Sequence, residues 1–85
     1  MNTQFILIGI HGVAVIPLDV VCRDYFRHLT PEKLARKVAL GEIKLPIVRM
    51  EKSQKSAKGV HVADLAAYLD AERAAAEKEL KQISG

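Results

Sequence analysis

The most constraining feature of this 85-residue sequence is Thr30-Pro31, with an amphipathic segment on either side of it. Threonine is a favoured helix N-cap, and proline fits the first helical position, where its missing N–H costs nothing. Lys33 stands where a capping box would place Glu, and Glu32 suits the positive end of the helix dipole. A helix is therefore predicted from residue 31 to about residue 40, stopped by Gly41. Upstream, Pro17 fits the first turn of another helix. Apolar residues follow at Leu18, Val21, Cys22, Tyr25, Phe26 and Leu29, offsets of 0, 3, 4, 7, 8 and 11 that match one helical face. Asp19, Arg23, Asp24 and Arg27 take the other side, giving a helix over about 17–27. In the second helix Leu34, Ala35 and Val38 form one face, and Lys33, Arg36 and Lys37 the opposite one. Leu40 falls near the basic face and turns inward only if the last turn loosens. Two short helices with a tight connection, the second basic outside, are the elements of a helix-turn-helix.

The flanks add strands. Thr3–Ile8 contains the apolar run Phe5-Ile6-Leu7-Ile8 and reads as a strand. Val13–Ile16 reads as a second, and the turn-permitting Gly9 and His11-Gly12 between them predict an N-terminal β-hairpin. Leu45-Pro46 breaks the helix and starts an extended run, Ile47–Glu51, and Val60-His61-Val62 is another. The loop between them has no large apolar residue and carries Lys52, Lys55 and Lys58. Together, residues 47–62 read as a wing with a basic tip. Ala63–Gln82 reads as a helix, with seven alanines between 63 and 76 and an apolar face of Leu65, Leu69, Ala76, Leu80 and Ile83. The half after Asp70 is expected to project. The predicted fold is thus a small α+β winged helix-turn-helix, one domain over 1–85, with an N-terminal hairpin and a long C-terminal helix.

Composition narrows the function. Hydrophobic residues are 49% and charged residues 27%, as in a folded globular domain and unlike a disordered tail. A single cysteine excludes an intramolecular disulfide or a multi-cysteine zinc site and fits a reducing cytoplasm. No apolar run reaches the roughly 20 residues of a membrane span, and no signal peptide is recognised, so no membrane partner is expected. The net charge of +3 is unevenly distributed. Residues 1–29 balance to zero, residues 30–59 to +5 and residues 60–85 to −2. A basic block between a neutral head and an acidic tail suggests a surface for a polyanion.

The candidate contacts follow from that block. Lys33, Arg36 and Lys37 are the expected major-groove residues, since arginine can grip guanine O6 and N7 with two hydrogen bonds. Thr30 and Glu32, at the amino end of the same helix, are alternatives. Lys52, Lys55 and Lys58 suit phosphates, because an ammonium is a point charge without fork geometry. Ser53 and Ser56 can add hydroxyl contacts. Arg49 either reaches DNA or pairs with Glu51 or Glu42. His11, His28, His61 and Cys22 lack metal-ligand spacing, and Cys22 reads as a buried thiol. His61 reads as a local hydrogen-bonding residue. No phosphate loop, nucleophile elbow or paired-carboxylate motif is present, so neither catalysis nor a cofactor is expected.

The stretches NTQFIL, IPLDVVCRDYF and GEIKLPIVRMEKSQKSAKGVHVADLAAYLDAERAAAEKE resemble the pyocin activator protein family of small regulators of phage and bacteriocin genes. The order helix, helix, wing, helix is also similar to phage excisionases and MerR-like regulators. The resemblance implies a transcriptional activator that binds promoter DNA and switches on bacteriocin or prophage genes, and RNA polymerase is a further candidate partner. Two rivals remain: an excisionase that bends attachment-site DNA, and a protein–protein module using the C-terminal helix. A homo-oligomer on DNA is also expected, because a single small winged helix reads few base pairs. The hairpin edge and the stripe Leu69, Ala76, Leu80 and Ile83 are the candidate contact surfaces.

Overall fold

A computed structural model describes residues 2–52 and 57–84. The chain is α+β: four helices and a small three-stranded antiparallel sheet. The first element differs from expectation. Thr3–His11 is a helix, α1, and not a strand. The Asn2 side chain accepts the Phe5 N–H at 2.9 Å, and Gly12, left-handed at φ 69°, donates its N–H to the Ile8 carbonyl at 2.8 Å. A short apolar run fits a buried strand and a helix equally well, and here the two caps decide. The expected N-terminal β-hairpin is therefore absent.

The second expected strand does form, shifted by one to two residues, as β1 (Val15–Pro17). It pairs far along the chain with β3 (Lys58–His61), in the register Val15↔His61, Ile16↔Val60 and Pro17↔Gly59. The other side of β3 takes β2 (Val48–Arg49), with Val48 opposite Gly59 and Arg49 opposite Lys58. The order is β1-β3-β2. Gly59 lies at the crossing of both ladders, and a Cβ there would stand 2.5 Å from the Ile16 carbonyl oxygen. No other residue lets β1 lie against β3 at this distance.

The middle helices form close to where the sequence places them. Pro17 ends β1 and occupies the N-cap of α2 (Leu18–Tyr25), one step outside the helix, and Phe26 is its C-cap. α3 (Pro31–Ala39) starts as expected: the Thr30 hydroxyl accepts the Lys33 N–H at 3.2 Å, and Pro31 opens the helix. Its end is a Schellman motif. Gly41, at φ 77°, donates to the Val38 carbonyl at 3.0 Å, and Glu42 donates to the Lys37 carbonyl at 2.9 Å. The last turn is thereby closed, and Leu40 stays outside, 68% exposed.

α4 (Val62–Ser84) follows β3 directly. His61 Nδ1 accepts the Ala63 N–H at 3.0 Å, and the Val62 N–H reaches the Ala14 carbonyl at 2.9 Å. His61 thus makes the local hydrogen bond expected of it. The core sits where the sheet meets the helices. Ile16, Val21, Leu34, Val60 and Leu65 are fully buried, and Leu45 seals the linker between α3 and β2. Cys22 is buried among them, and burial pushes its thiol up from the ordinary range. Phe26 meets Tyr68 with ring centroids 5.7 Å apart, which ties the end of α2 to α4. From Asp70 to Ile83 every residue of α4 is exposed. Leu65 of the expected apolar stripe therefore enters the core, while Leu80 and Ile83 are exposed on the extension. Among the described residues, no helix is long and apolar enough to cross a membrane.

Candidate nucleic-acid interface

Three pieces of the chain carry the basic block: α3, the strands β2 and β3, and the turn between those strands. The start of α3 is set by Thr30, whose exposed hydroxyl is already the acceptor of the Lys33 N–H. Its own O–H hydrogen remains a donor for an anion. Leu34 anchors the helix in the core, which turns Lys33 and Arg36 outward, and both are exposed. Among the described residues, neither has an ion-pair partner. Lys37 differs: its Nζ lies 3.6 Å from Glu42 Oε2, because the Schellman turn brings Glu42 back beside the last turn of α3. Lys37 is therefore partly neutralised, a pairing that the helical wheel did not disclose.

In the hairpin, Arg49 and Lys58 stand directly opposite each other. Like charges in a cross-strand pair repel, so this placement favours an anion lying over it. Arg49 is exposed, and Glu42, one of its two candidate partners, is instead beside Lys37. The ladder continues one step further, with the Met50 N–H on the Ala57 carbonyl at 3.1 Å. Lys52 is exposed just beyond it, and Lys58 is half-buried in β3. The expected contacts Ser53, Lys55 and Ser56 lie outside the described residues.

Cations elsewhere are placed differently. Arg23 Nε is 2.9 Å from Asp24 Oδ1, and that hydrogen bond holds the Asp24 carboxyl below its usual range. Arg73 lies 3.3 Å from Glu77 on the exposed part of α4. The polarity reverses on the α4 side of the molecule. There a cavity of about 490 Å³ is lined by Glu42, Asp64 and Glu72 against a single lysine, Lys44. Such a lining repels phosphate, so the cavity does not extend the basic face. Among the described residues, no group of three or more His, Cys, Asp or Glu is placed to hold a metal ion.

Sequence reasoning missed two features. The Glu42 partner of Lys37 depends on the chain reversal at Gly41. The helical state of α1 did have a local signal: Asn2 and Gly12 are a cap pair nine residues of helix apart. Against known proteins, the family model described as pyocin activator protein PrtN matches residues 3–76. No curated protein and no solved structure matches the chain.

Proposed function

The chain belongs to the pyocin activator protein PrtN family, and from that membership we propose that it is a sequence-specific DNA-binding activator of prophage or pyocin-type bacteriocin genes. In this reading α2 and α3 are the helix-turn-helix and the β2–β3 hairpin is the wing. α3 enters the major groove, with Lys33 and Arg36 at the base edges and Thr30 donating to a phosphate. Arg49, Lys52 and Lys58, together with Ser53, Lys55 and Ser56, follow the adjacent backbone. Lys37 contributes less, because it shares its charge with Glu42. The protein acts without catalysis or a cofactor, in the cytoplasm, with more than one copy on the DNA and RNA polymerase as the downstream contact.

The observations that carry the reading are the two exposed cations on α3 without an ion-pair partner among the described residues, and the cross-strand pair Arg49 and Lys58. The cross-strand pair repels in the free protein and is relieved by an anion, and the two exposed cations on α3 are available to one. The test is a fluorescence-anisotropy titration against duplexes from pyocin promoter regions and scrambled duplexes, across a salt series. If about five cations neutralise phosphates, log affinity falls against log salt with a slope of about −4.5. Arg36→Ala, an exposed change, should weaken promoter binding by about 1–3 kcal/mol and narrow the gap to the scrambled duplex. Absence of binding at low salt, or identical affinities for Arg36→Ala and the parent, would refute the reading.

A further inference from the structure

The outward side of α1 takes no part in the DNA-binding reading, and four large apolar residues of this helix, Phe5, Ile6, Ile8 and Ile10, are exposed. The helix is pinned in one rotation. Thr3 donates to Asp70 Oδ1 on α4 at 2.6 Å, His11 Nε2 meets the Tyr25 hydroxyl on α2 at 2.9 Å, and Leu7 between them is buried. These three positions are four residues apart, so they form the inward stripe. On a helical wheel Gly9 lies about 200° around from Leu7, at the centre of the outward arc. Its flanks on the wheel are Phe5 and Ile6, 66% and 45% exposed, with Ile8 and Ile10 at the edges of the arc at 41% and 65%. α1 carries no Asp, Glu, Lys or Arg.

We propose that this arc docks a second copy of the chain, by two-fold packing of α1 on α1 across Gly9. Three observations select that occupant. The first is area. Taking about 200 Å² for a whole phenylalanine and somewhat less for isoleucine, the exposed parts of Phe5, Ile6, Ile8 and Ile10 come to roughly 400 Å². A standard interface of about 800 Å² per partner that is about 65% apolar needs roughly 500 Å² of apolar surface from each side. The second is the glycine. Gly9 weakens the last turn of a nine-residue helix, and nothing lies within 4 Å of where its Cβ would be. A gap at the centre of an apolar arc suits the close approach of another backbone. The third is charge. An uncharged arc offers nothing to DNA or to a charged partner, whereas a second copy presents the same arc, as a two-fold interface requires. A lipid surface fits less well, because interfacial helices carry a strongly charged polar face, and the polar side of α1 is spent on Asp70 and Tyr25.

The test uses the full chain without DNA, so its result stands apart from the DNA-binding reading. Sedimentation velocity between about 1 and 100 μM, the span of moderate-affinity association, should show a monomer–dimer equilibrium. Gly9→Glu meets open space in the single chain, so its helical content and urea midpoint should be kept. Its dimer dissociation constant should rise at least about 100-fold, the expected effect of burying an unpaired charge. Under a mild oxidant Gly9→Cys should cross-link into a disulfide dimer, because the two copies of position 9 meet at the axis. Gln4→Cys, off the arc, should not. A strict monomer at the highest concentration would overturn the proposal, whether or not the monomer floats with phosphatidylcholine vesicles. So would a Gly9→Glu chain that dimerises like the parent.

Discussion

Alanine at Gly59 and alanine at Gly9 should have opposite effects on the stability of the single chain. At Gly59 the new Cβ would stand 2.5 Å from the Ile16 carbonyl oxygen and 2.7 Å from Val15 Cγ1. Neither neighbour can yield cheaply. Ile16 is in register with Val60, and its side chain is fully buried, so moving its carbonyl drags the centre of the core. Overpacking of this kind costs about 1–3 kcal/mol, and contact with backbone places Gly59→Ala in the upper half of that range. For a chain of this length each kcal/mol lowers Tm by about 4–8 °C, so a fall of roughly 8–24 °C is expected. At Gly9 the same methyl meets nothing within 4 Å and sits inside a helix, in its last turn. There alanine should raise stability by about 0.5–1 kcal/mol. Thermal melts followed by circular dichroism, on dilute protein, read both. Equal destabilisation by the two changes would show that β1 and α1 are not packed as described. A Gly59→Ala chain as stable as the parent would show that β1 does not lie against β3.

Two further outcomes follow from the caps and the buried acids. Thr30→Ala removes the acceptor for the Lys33 N–H and should cost about 1 kcal/mol in a urea melt, whereas Thr30→Ser should cost little. Equal midpoints for the alanine and serine variants would count against the cap. Burial pushes Cys22, Tyr25 and Tyr68 all upward, with Asp24 and Glu72 adding to the two tyrosines. The folded chain holds these protons more tightly than the unfolded one, so their contribution is complete below the ordinary thiol range and is lost as pH rises from there through the raised thiol and phenol values. The urea midpoint should therefore fall between about pH 8 and pH 10.5, the range where thiols and phenols titrate, and a flat or rising midpoint would contradict the burial of these groups.

The parts of the fold that were legible in the sequence are those set by neighbouring residues. Thr30-Pro31 starts α3, and Gly41 ends it, because an N-cap hydroxyl and a left-handed glycine act over three or four residues. The apolar spacing of α2 identified Val21 and Cys22 as inward, and both are buried. The hairpin was legible because its strands flank a polar basic loop. α1 was not, because Phe5-Ile6-Leu7-Ile8 satisfies either a strand or a helix, and only the bonds made by Asn2 and Gly12 separate them. The partner of β1 was not legible either. Val15 and His61 are separated by most of the chain, and no local pattern encodes that pairing. Within the basic block the composition located the cations. Which of them are neutralised depended on the turn at Gly41, which carries Glu42 to Lys37, while among the described residues Arg36 has no ion-pair partner.

The helical state of α1 changes what the molecule offers to others. As a strand paired with β1, residues 3–8 would have covered one edge of the sheet and buried alternate side chains. As a helix, residues 3–11 bury only Leu7 and leave Phe5, Ile6, Ile8 and Ile10 exposed. β1 in turn remains an edge strand, three residues long and closed by Pro17, which limits strand addition there. Association through the sheet edge is therefore disfavoured, and association through α1 is favoured. α1 packs on α4 and touches α2 through His11, while α3 packs on the other helix partner of the core, α2, and carries the cations. An apolar surface and a basic surface thus rest on different elements of one core. A charge placed at Gly9 should leave Lys33 and Arg36 undisturbed, and an alanine at Arg36 should leave α1 undisturbed. If the two surfaces instead shared an element, no substitution could remove one activity and spare the other.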